Sequence, residues 1–242
     1  MKEFIKRALT AIFLTATFGG AYLHSMLLFM LLLGAVFLVV LCVEWPGLVP
    51  FQGLEGLLFS LVYPGISMIA MVTLHGLYYS KDFYLPLYPF FVAWAADTGG
   101  YLVGRLCGSH KICPSISPGK SWEGLAGSVV AVSVMNMMIL PRIDAHFAQF
   151  IIQSSVVILV IFSLALTVIA FLGGLFVSVL KRGKQLKDAG SVLPGHGGFL
   201  DRFDSVFAVV LVVWGMLLTP AISMYAKGAW RQVKKSYTSY AR

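Results

Sequence analysis

Ser178-Val-Leu-Lys-Arg-Gly-Lys-Gln-Leu-Lys-Asp-Ala-Gly-Ser-Val-Leu-Pro-Gly-His-Gly-Gly-Phe-Leu-Asp-Arg-Phe-Asp-Ser205 is a dense polar run in an otherwise oily chain. It holds Lys181, Arg182, Lys184, Lys187, Asp188, Asp201, Arg202 and Asp204, with Gly190, Gly195, Gly197 and Gly198 around Pro194 and His196. Long apolar runs flank it on both sides. Charge set between membrane-type segments is costly to place, so it marks a site. The flanks decide the fold, because each is long enough to cross a bilayer, which takes about 20 apolar residues.

The totals agree. Of 242 residues, 59% are hydrophobic and 12% charged, and the mean hydropathy is +0.87. Soluble domains carry roughly 25% charged residues. Alternating segments of about ten residues, the mark of a transmembrane barrel, are lacking. The expected class is all-α: a polytopic integral membrane protein of about seven transmembrane helices, with polar catalytic loops at the cytoplasmic side. Its net charge of +8 suits positive-inside loops and anionic lipid heads. Gathered in one place, the same charge would suit an anionic substrate. No basic face outside short loops favours nucleic acid. Cys42, Cys107 and Cys113 lack paired spacing, so neither a disulfide framework nor a zinc site is expected.

Along the chain, Lys2, Lys6 and Arg7 precede an apolar run over about Ala8–Val43. That run suits two retained helices joined near Gly19, Gly20 and His24. Glu44-Trp45-Pro46-Gly47 reads as a turn, with Trp45 at the interface. Further spans are expected over about Leu54–Tyr78, Leu85–Val103, Leu125–Leu140, Phe150–Leu180 and Phe203–Tyr225. With a cytoplasmic N-terminus, the loops at 105–121 and 181–202 both face the cytoplasm, in accord with their Lys and Arg. The same count sends the basic tail (Lys227, Arg231, Lys234, Lys235, Arg242) outside, against the rule. One membrane domain is expected over 1–242: generic spans over about 8–53, a catalytic region over 54–225, and a tail over 226–242.

A second polar stretch begins inside the fourth span. Asp97-Thr98-Gly99-Gly100-Tyr101 leads through Gly104-Arg105 and Gly108-Ser109-His110-Lys111 to Ile116-Ser117-Pro118-Gly119-Lys120-Ser121-Trp122-Glu123-Gly124. An acid within a span must be paired or face a polar cavity. Ser117-Pro118-Gly119-Lys120 reads as a tight turn before a helix start, with Glu123 in the first turn. Backbone amides there, beside Lys120, would suit a phosphate.

The acids cluster where the cations do. Asp97, Glu123, Asp188, Asp201 and Asp204 all belong to these two stretches, and Asp144 lies apart. Asp201 and Asp204 are three residues apart, so both share one helical face if a helix begins near Leu200. Such a pair makes a half-shell for Mg²⁺, with Asp188 and Asp97 as further candidates. Lys181, Arg182, Lys187 and Arg202 would neutralise phosphate oxygens. Ser117, Lys120 and His196 are candidate nucleotide or phosphate contacts, and His196 could also act as an acid or brace its loop. Acids for metal, cations for phosphate and glycines for close approach point to phosphoryl or nucleotidyl transfer.

The pattern Ser178-x-x-Lys181-Arg182, Lys187-Asp188-x-Gly190, Leu193-Pro194-Gly195-His196-Gly197-Gly198, Asp201-Arg202-Phe203-Asp204 closely resembles the signature of the phosphatidate cytidylyltransferases. The stretch from Asp97 to Gly124 resembles that family's second characteristic segment, and the likeness runs from about residue 50 onward. It implies that CTP and phosphatidate in the bilayer give CDP-diacylglycerol and pyrophosphate, as a step of phospholipid biosynthesis. Mg²⁺ is the implied cofactor, with a second monovalent or divalent cation left open, and a homodimer is the implied assembly. The expected location is the bacterial cytoplasmic membrane, with the active site facing the cytoplasm. Lys181, Arg182, Lys187, Asp188, His196 and Arg202 are then the expected catalytic residues. Asp97, Arg105, Ser117, Lys120, Ser178, Gly197 and Gly198 would bind substrate, and Asp201 and Asp204 the metal.

One departure stands out. The family pattern places Asp four residues before the signature serine and Glu just before it; here those positions are Gly174 and Val177. Gly174, Ser178, Lys181 and Arg182 share a helical face, so the missing carboxylate would have pointed into the site. A shell completed by Asp188, a weakened enzyme and an inactive lipid-binding relative are the readings this leaves. Another lipid phosphate as acceptor, a CTP-dependent lipid kinase and a transporter with a buried Asp97 are the further alternatives.

Overall fold

The computed structural model describes residues 2–49, 53–79, 82–194 and 197–218. His196 and the basic tail therefore lie outside the described residues. The chain is a helical integral membrane protein, and four of the described helical rods are long and apolar enough to cross a bilayer.

Helix α1 (Lys2–His24) breaks at Ser25, whose hydroxyl caps the next rod by accepting from Leu28 N. That rod, α2 (Met26–Leu48), and α3 (Leu54–Tyr78) are two of the four. The expected turn at Glu44-Trp45-Pro46-Gly47 is a continuation of helix instead. Residues Val40–Glu44 form a π-helical turn, and Trp45 N donates to Val40 O, five residues back. The ladder is thus already out of α register where Pro46, which has no N–H, enters. Trp45 is fully buried within the protein, its indole donating to Ser60 Oγ at 2.7 Å.

Helix α4 (Tyr88–Cys107) has Pro89 in its first turn, where a missing N–H costs nothing. After it comes a small antiparallel ribbon, β1 (Lys111–Cys113) with β2 (Ser117–Ser121), an addition to the all-α expectation. Ser117-Pro118-Gly119-Lys120 is therefore strand, not a turn, and Pro118 is tolerated because a two-stranded ribbon is all edge. Helix α5 (Trp122–Ile139) starts one residue later, with Ser121 Oγ accepting from Gly124 N at 3.1 Å.

The expected sixth span is two helices, α6 (His146–Gln153) and α7 (Val156–Gly183). Ser154 and Ser155 both adopt extended ψ angles, and Ser154 Oγ donates back to Phe150 O, the side-chain competition that ends helices. The last described helix, α8, covers residues 200–218.

Close packing of α4 on α5 depends on Gly99 and Gly127. A Cβ at Gly99 would meet Ala131 Cβ and Gly127 O at 2.6 Å, and one at Gly127 would meet Val103 Cγ2 at 2.5 Å. Backbones approaching this closely gain packing that lipid cannot supply. A buried polar chain joins α4, α5 and α7: Tyr88 Oη donates to Asn136 Oδ1 at 2.7 Å, and Asn136 Nδ2 donates to Ser163 Oγ at 2.9 Å. At the end of the bundle where α4 begins, the carboxylate of Asp82 accepts from Tyr84 N, Leu85 N and Asp144 N. The ribbon, the end of α7 and the start of α8 gather at the opposite end.

Candidate active site

Four elements enclose a cavity of about 240 Å³: Asp97, Gly100 and Tyr101 from α4, Ser117 and Lys120 from β2, Gly124 and Ser128 from α5, and Thr167 and Phe171 from α7. Asp97 therefore faces a polar cavity, as an acid within a span requires. Lys120 spans the cavity. Its ammonium donates to Phe171 O at 3.0 Å and lies 4.3 Å above the Phe171 ring. Burial holds its pKa below the ordinary lysine range, while the negative charges of Asp204 and Asp97 oppose that shift.

Asp204 reaches the same place from α8. A Cβ at Gly174 would lie 3.1 Å from Lys120 Nζ and 3.4 Å from Asp204 Oδ2, so both groups border the space a larger residue at 174 would fill. The charges of Asp97, Lys120 and Lys181 all act on Asp204, and that of Arg202 acts on Asp97. Asp204 accepts at Oδ1 from the next backbone amide, Ser205 N, at 2.7 Å, and Tyr63 Oη donates to its backbone carbonyl at 2.9 Å.

Asp201, the other expected metal ligand, has a different setting. Its Oδ1 accepts from Lys181 Nζ at 2.6 Å, and both side chains are largely buried. Its Oδ2 accepts from Ala189 N at 2.8 Å and Gly198 N at 3.0 Å. Three charge-assisted bonds occupy the carboxylate, which folds the polar loop onto α7. The carboxylate coupled to Asp204 is that of Asp97, from a different helix.

The remaining expected residues fall around this centre. Lys181 stands between Asp201 and Asp204 and links the two settings. Arg182, expected on phosphate, ties the ribbon to the polar loop: Nε donates to Ile116 O at 3.1 Å and Nη1 to Leu186 O at 2.9 Å. Ser178 Oγ donates to Gly174 O at 2.7 Å. Arg105 meets the cavity rim through Tyr101 Oη at 2.6 Å. Arg202, Lys187 and Asp188 are exposed. Gly197 takes a left-handed φ of 80° beside Asp201 and Asp188, at the bridge where its carbonyl accepts from Leu193 N. Glu123, expected in a capping role, accepts from His110 N and contacts His110 Nδ1 at 2.5 Å, closing the base of the ribbon.

Several contributors carried no signal in the sequence. Thr167 and Phe171 sit in an unbroken apolar run, and Tyr63 looks like any span aromatic. Glu44 looked like a turn acid, yet it is buried against the polar loop.

Chemically, two carboxylates from separate helices, Asp97 and Asp204, come within electrostatic reach of the Lys120 and Lys181 ammonium groups, and Asp97 and Lys120 line the cavity. Such a centre can hold a divalent cation and bind phosphates, and it offers no Ser-His-Asp or Cys-His arrangement among the described residues. Comparison with known proteins gives a match to the family described as "Cytidylyltransferase family" over residues 2–219. The match extends across the first two helices, where the sequence shows no characteristic motif. A protein of Haemophilus influenzae named phosphatidate cytidylyltransferase is 37% identical over 158 residues, covering 63% of this chain and 52% of that protein. Proteins of the same name from Staphylococcus saprophyticus and Staphylococcus aureus are 37% and 39% identical over 161 residues, covering 66% of this chain and 57% of each relative. The chain thus spans little more than half the length of these relatives.

Proposed function

The chain belongs to the cytidylyltransferase family, and on that premise we propose that it transfers the cytidylyl group of CTP to phosphatidate, giving CDP-diacylglycerol and pyrophosphate. The observation that carries the proposal is that Asp97 and Lys120 line one cavity while Asp204 borders Lys120 across Gly174, within reach of the charges of Asp97, Lys120 and Lys181. The names of the relatives supply the substrates.

Phosphatidate is a phosphomonoester with a second pKa near 6, so at neutral pH it is largely a dianion and needs no strong general base. One of its oxygens attacks the α-phosphorus of CTP, the bond from that phosphorus to the β-bridging oxygen breaks, and pyrophosphate leaves. The obstacle is bringing two anions together and stabilising the departing charge. Lys120 and Lys181 are the buried cations for that task, and Arg202 adds charge from the rim. Tyr101 and Ser117 line the approach from water, and the bilayer side admits the lipid.

The donor set fits Mg²⁺. Among the described residues no third His, Cys, Asp or Glu joins Asp97 and Asp204, and Mg²⁺ commonly takes one or two carboxylates with phosphate oxygens and water as the rest. Asp97 and Asp204 would hold it, and the ion would neutralise phosphate charge and polarise the α-phosphate. The polar loops are rich in Lys and Arg, which supports a cytoplasmic orientation of this end in a bacterial cytoplasmic membrane.

The test is mass spectrometry of lipids after the full chain, reconstituted in liposomes holding both phosphatidate and a polyprenyl phosphate, is given CTP and Mg²⁺. CDP-diacylglycerol with matching pyrophosphate is expected. A cytidylylated polyprenyl product, or a newly phosphorylated lipid with CDP released, would overturn the proposal.

A further inference from the structure

Glu44 is 1% exposed and lies on the second helix, far in sequence from the polar loop. Its Oε1 accepts from Phe199 N at 2.8 Å and its Oε2 from Leu200 N at 2.7 Å. Among the described residues no cation pairs with it, and its hydrogen-bond partners there are these two amides. They are the leading amides of α8, which have no acceptor within the helix and carry the positive end of its dipole. A carboxylate placed there satisfies both the orphan donors and the dipole.

Two glycines of the loop make room for this carboxylate. A Cβ at Gly198 would sit 2.6 Å from Glu44 Oε1, and one at Gly190 would sit 3.0 Å from the same atom. The next two amides of the loop, Ala189 N and Gly198 N, go to Asp201. Two carboxylates, one from α2 and one from α8, therefore gather four backbone N–H groups between them. The π-helical turn ending at Glu44 sets the direction from which its side chain enters.

We infer that Glu44 is a positioning residue for the active site: by receiving the amides of Phe199 and Leu200 it fixes where α8 begins. That in turn fixes Asp201 against Lys181, and Asp204 against Asp97. The helix regarded from sequence as generic thereby supplies a support of the site. The kinetic part of the test rests on the proposed cytidylyl transfer; the structural part does not.

The probe is Glu44→Gln, which keeps the shape but sets an NH₂ against one backbone N–H. Losing one such bond and leaving its donor unpaired corresponds to about tenfold or more in a local equilibrium. Hydrogen exchange of the purified full chain, followed by mass spectrometry, is expected to quicken by about tenfold in peptides covering residues 188–203. Peptides from α4 and α5 are expected to stay as in the wild type. Unchanged exchange over 188–203, or equal acceleration throughout the bundle, would overturn the inference.

With CTP and phosphatidate, kcat is expected to fall about tenfold while the KM for CTP stays within about threefold, because Lys120 and the cavity wall remain in place. An unchanged kcat, or a loss confined to KM, would count against positioning. A wild type without turnover would reject the transfer reaction and leave the exchange measurement to decide on Glu44. Should Glu44→Gln fail to fold, Gly198→Ala presses on the same carboxylate from the other side and must give the same local exchange signature. A Gly198→Ala protein with wild-type exchange over 188–203 would overturn the inference.

Discussion

Lys120 and Gly174 show how much one position can hold. Because Gly174 has no side chain, the Lys120 ammonium can lie 3.1 Å from where a Cβ would stand. Aspartate at 174 would push against the tip of a flexible lysine and bring a third carboxylate to Asp204. Gly174→Asp is therefore expected to fold, and to lower the Mg²⁺ concentration needed for half-maximal turnover. An unaltered Mg²⁺ dependence would show that the new carboxylate does not join the centre. Activity confined to Gly174→Asp would mark the natural chain as disabled at this position. Lys120 also sets a pH limit. Its charged form is the proposed phosphate binder, and burial lowers its pKa, so that form is lost as pH rises sooner than for an exposed lysine. Lys120→Arg, which stays charged, is expected to move the alkaline limb of kcat/KM for CTP to higher pH. An identical limb in the variant would assign the titration to another group. The sequence named Lys120, but for a turn and helix start that are really strand; spacing alone does not reveal that Ser117 pairs with Cys113. It named Asp204 and Asp201 together, since residues three apart share a helical face. What it could not carry was the loop folding back to occupy Asp201, a contact set by residues distant in sequence.

Among the elements, the α4–α5 seam and the loop joining α7 to α8 bear most on the site. Asp97 and Gly124 face one cavity only because Gly99 and Gly127 let two backbones touch. Gly127→Val is expected to destabilise the bundle by about 1–3 kcal/mol through overpacking, visible as a lower unfolding temperature in detergent. Wild-type stability would mean the seam can relax. The Lys181–Asp201 pair is buried, and removing one partner of such a pair costs about 3–5 kcal/mol because the other charge is stranded. Asp201→Ala should therefore lose stability as well as turnover, whereas Asp204→Asn should lose turnover with little change in unfolding temperature. Equal stability in the two would dissolve the distinction between a loop-folding acid and a site acid. The four spans found were legible in outline because a lipid-facing helix must be apolar along its length, and Leu54–Tyr78 was placed to the residue. The helix passing through Pro46 and the break at Ser154-Ser155 were not, since each depends on how the backbone ladder is locally satisfied. Apolarity does not report that.

At the scale of the molecule, the ribbon, Glu44 and both ends of the polar loop share one end of the bundle, and Asp82 with Asp144 lies at the other. This is the sidedness expected of an enzyme that draws one substrate from water and one from the membrane. Cys107 is exposed where α4 runs into the ribbon. A variant keeping only Cys107 is expected to react with a membrane-impermeant maleimide in inverted vesicles and not in spheroplasts. Labelling in spheroplasts would put the site on the wrong side of the membrane for CTP. The most direct measurement is steady-state pyrophosphate release from CTP by the full chain in phosphatidate liposomes, beside Asp97→Asn and Asp204→Asn. The account predicts Mg²⁺-dependent release by the wild type and a loss of about a hundredfold or more in each variant. Release at the wild-type rate from either variant, or none from the wild type with CTP, phosphatidate and Mg²⁺ all present, would contradict it.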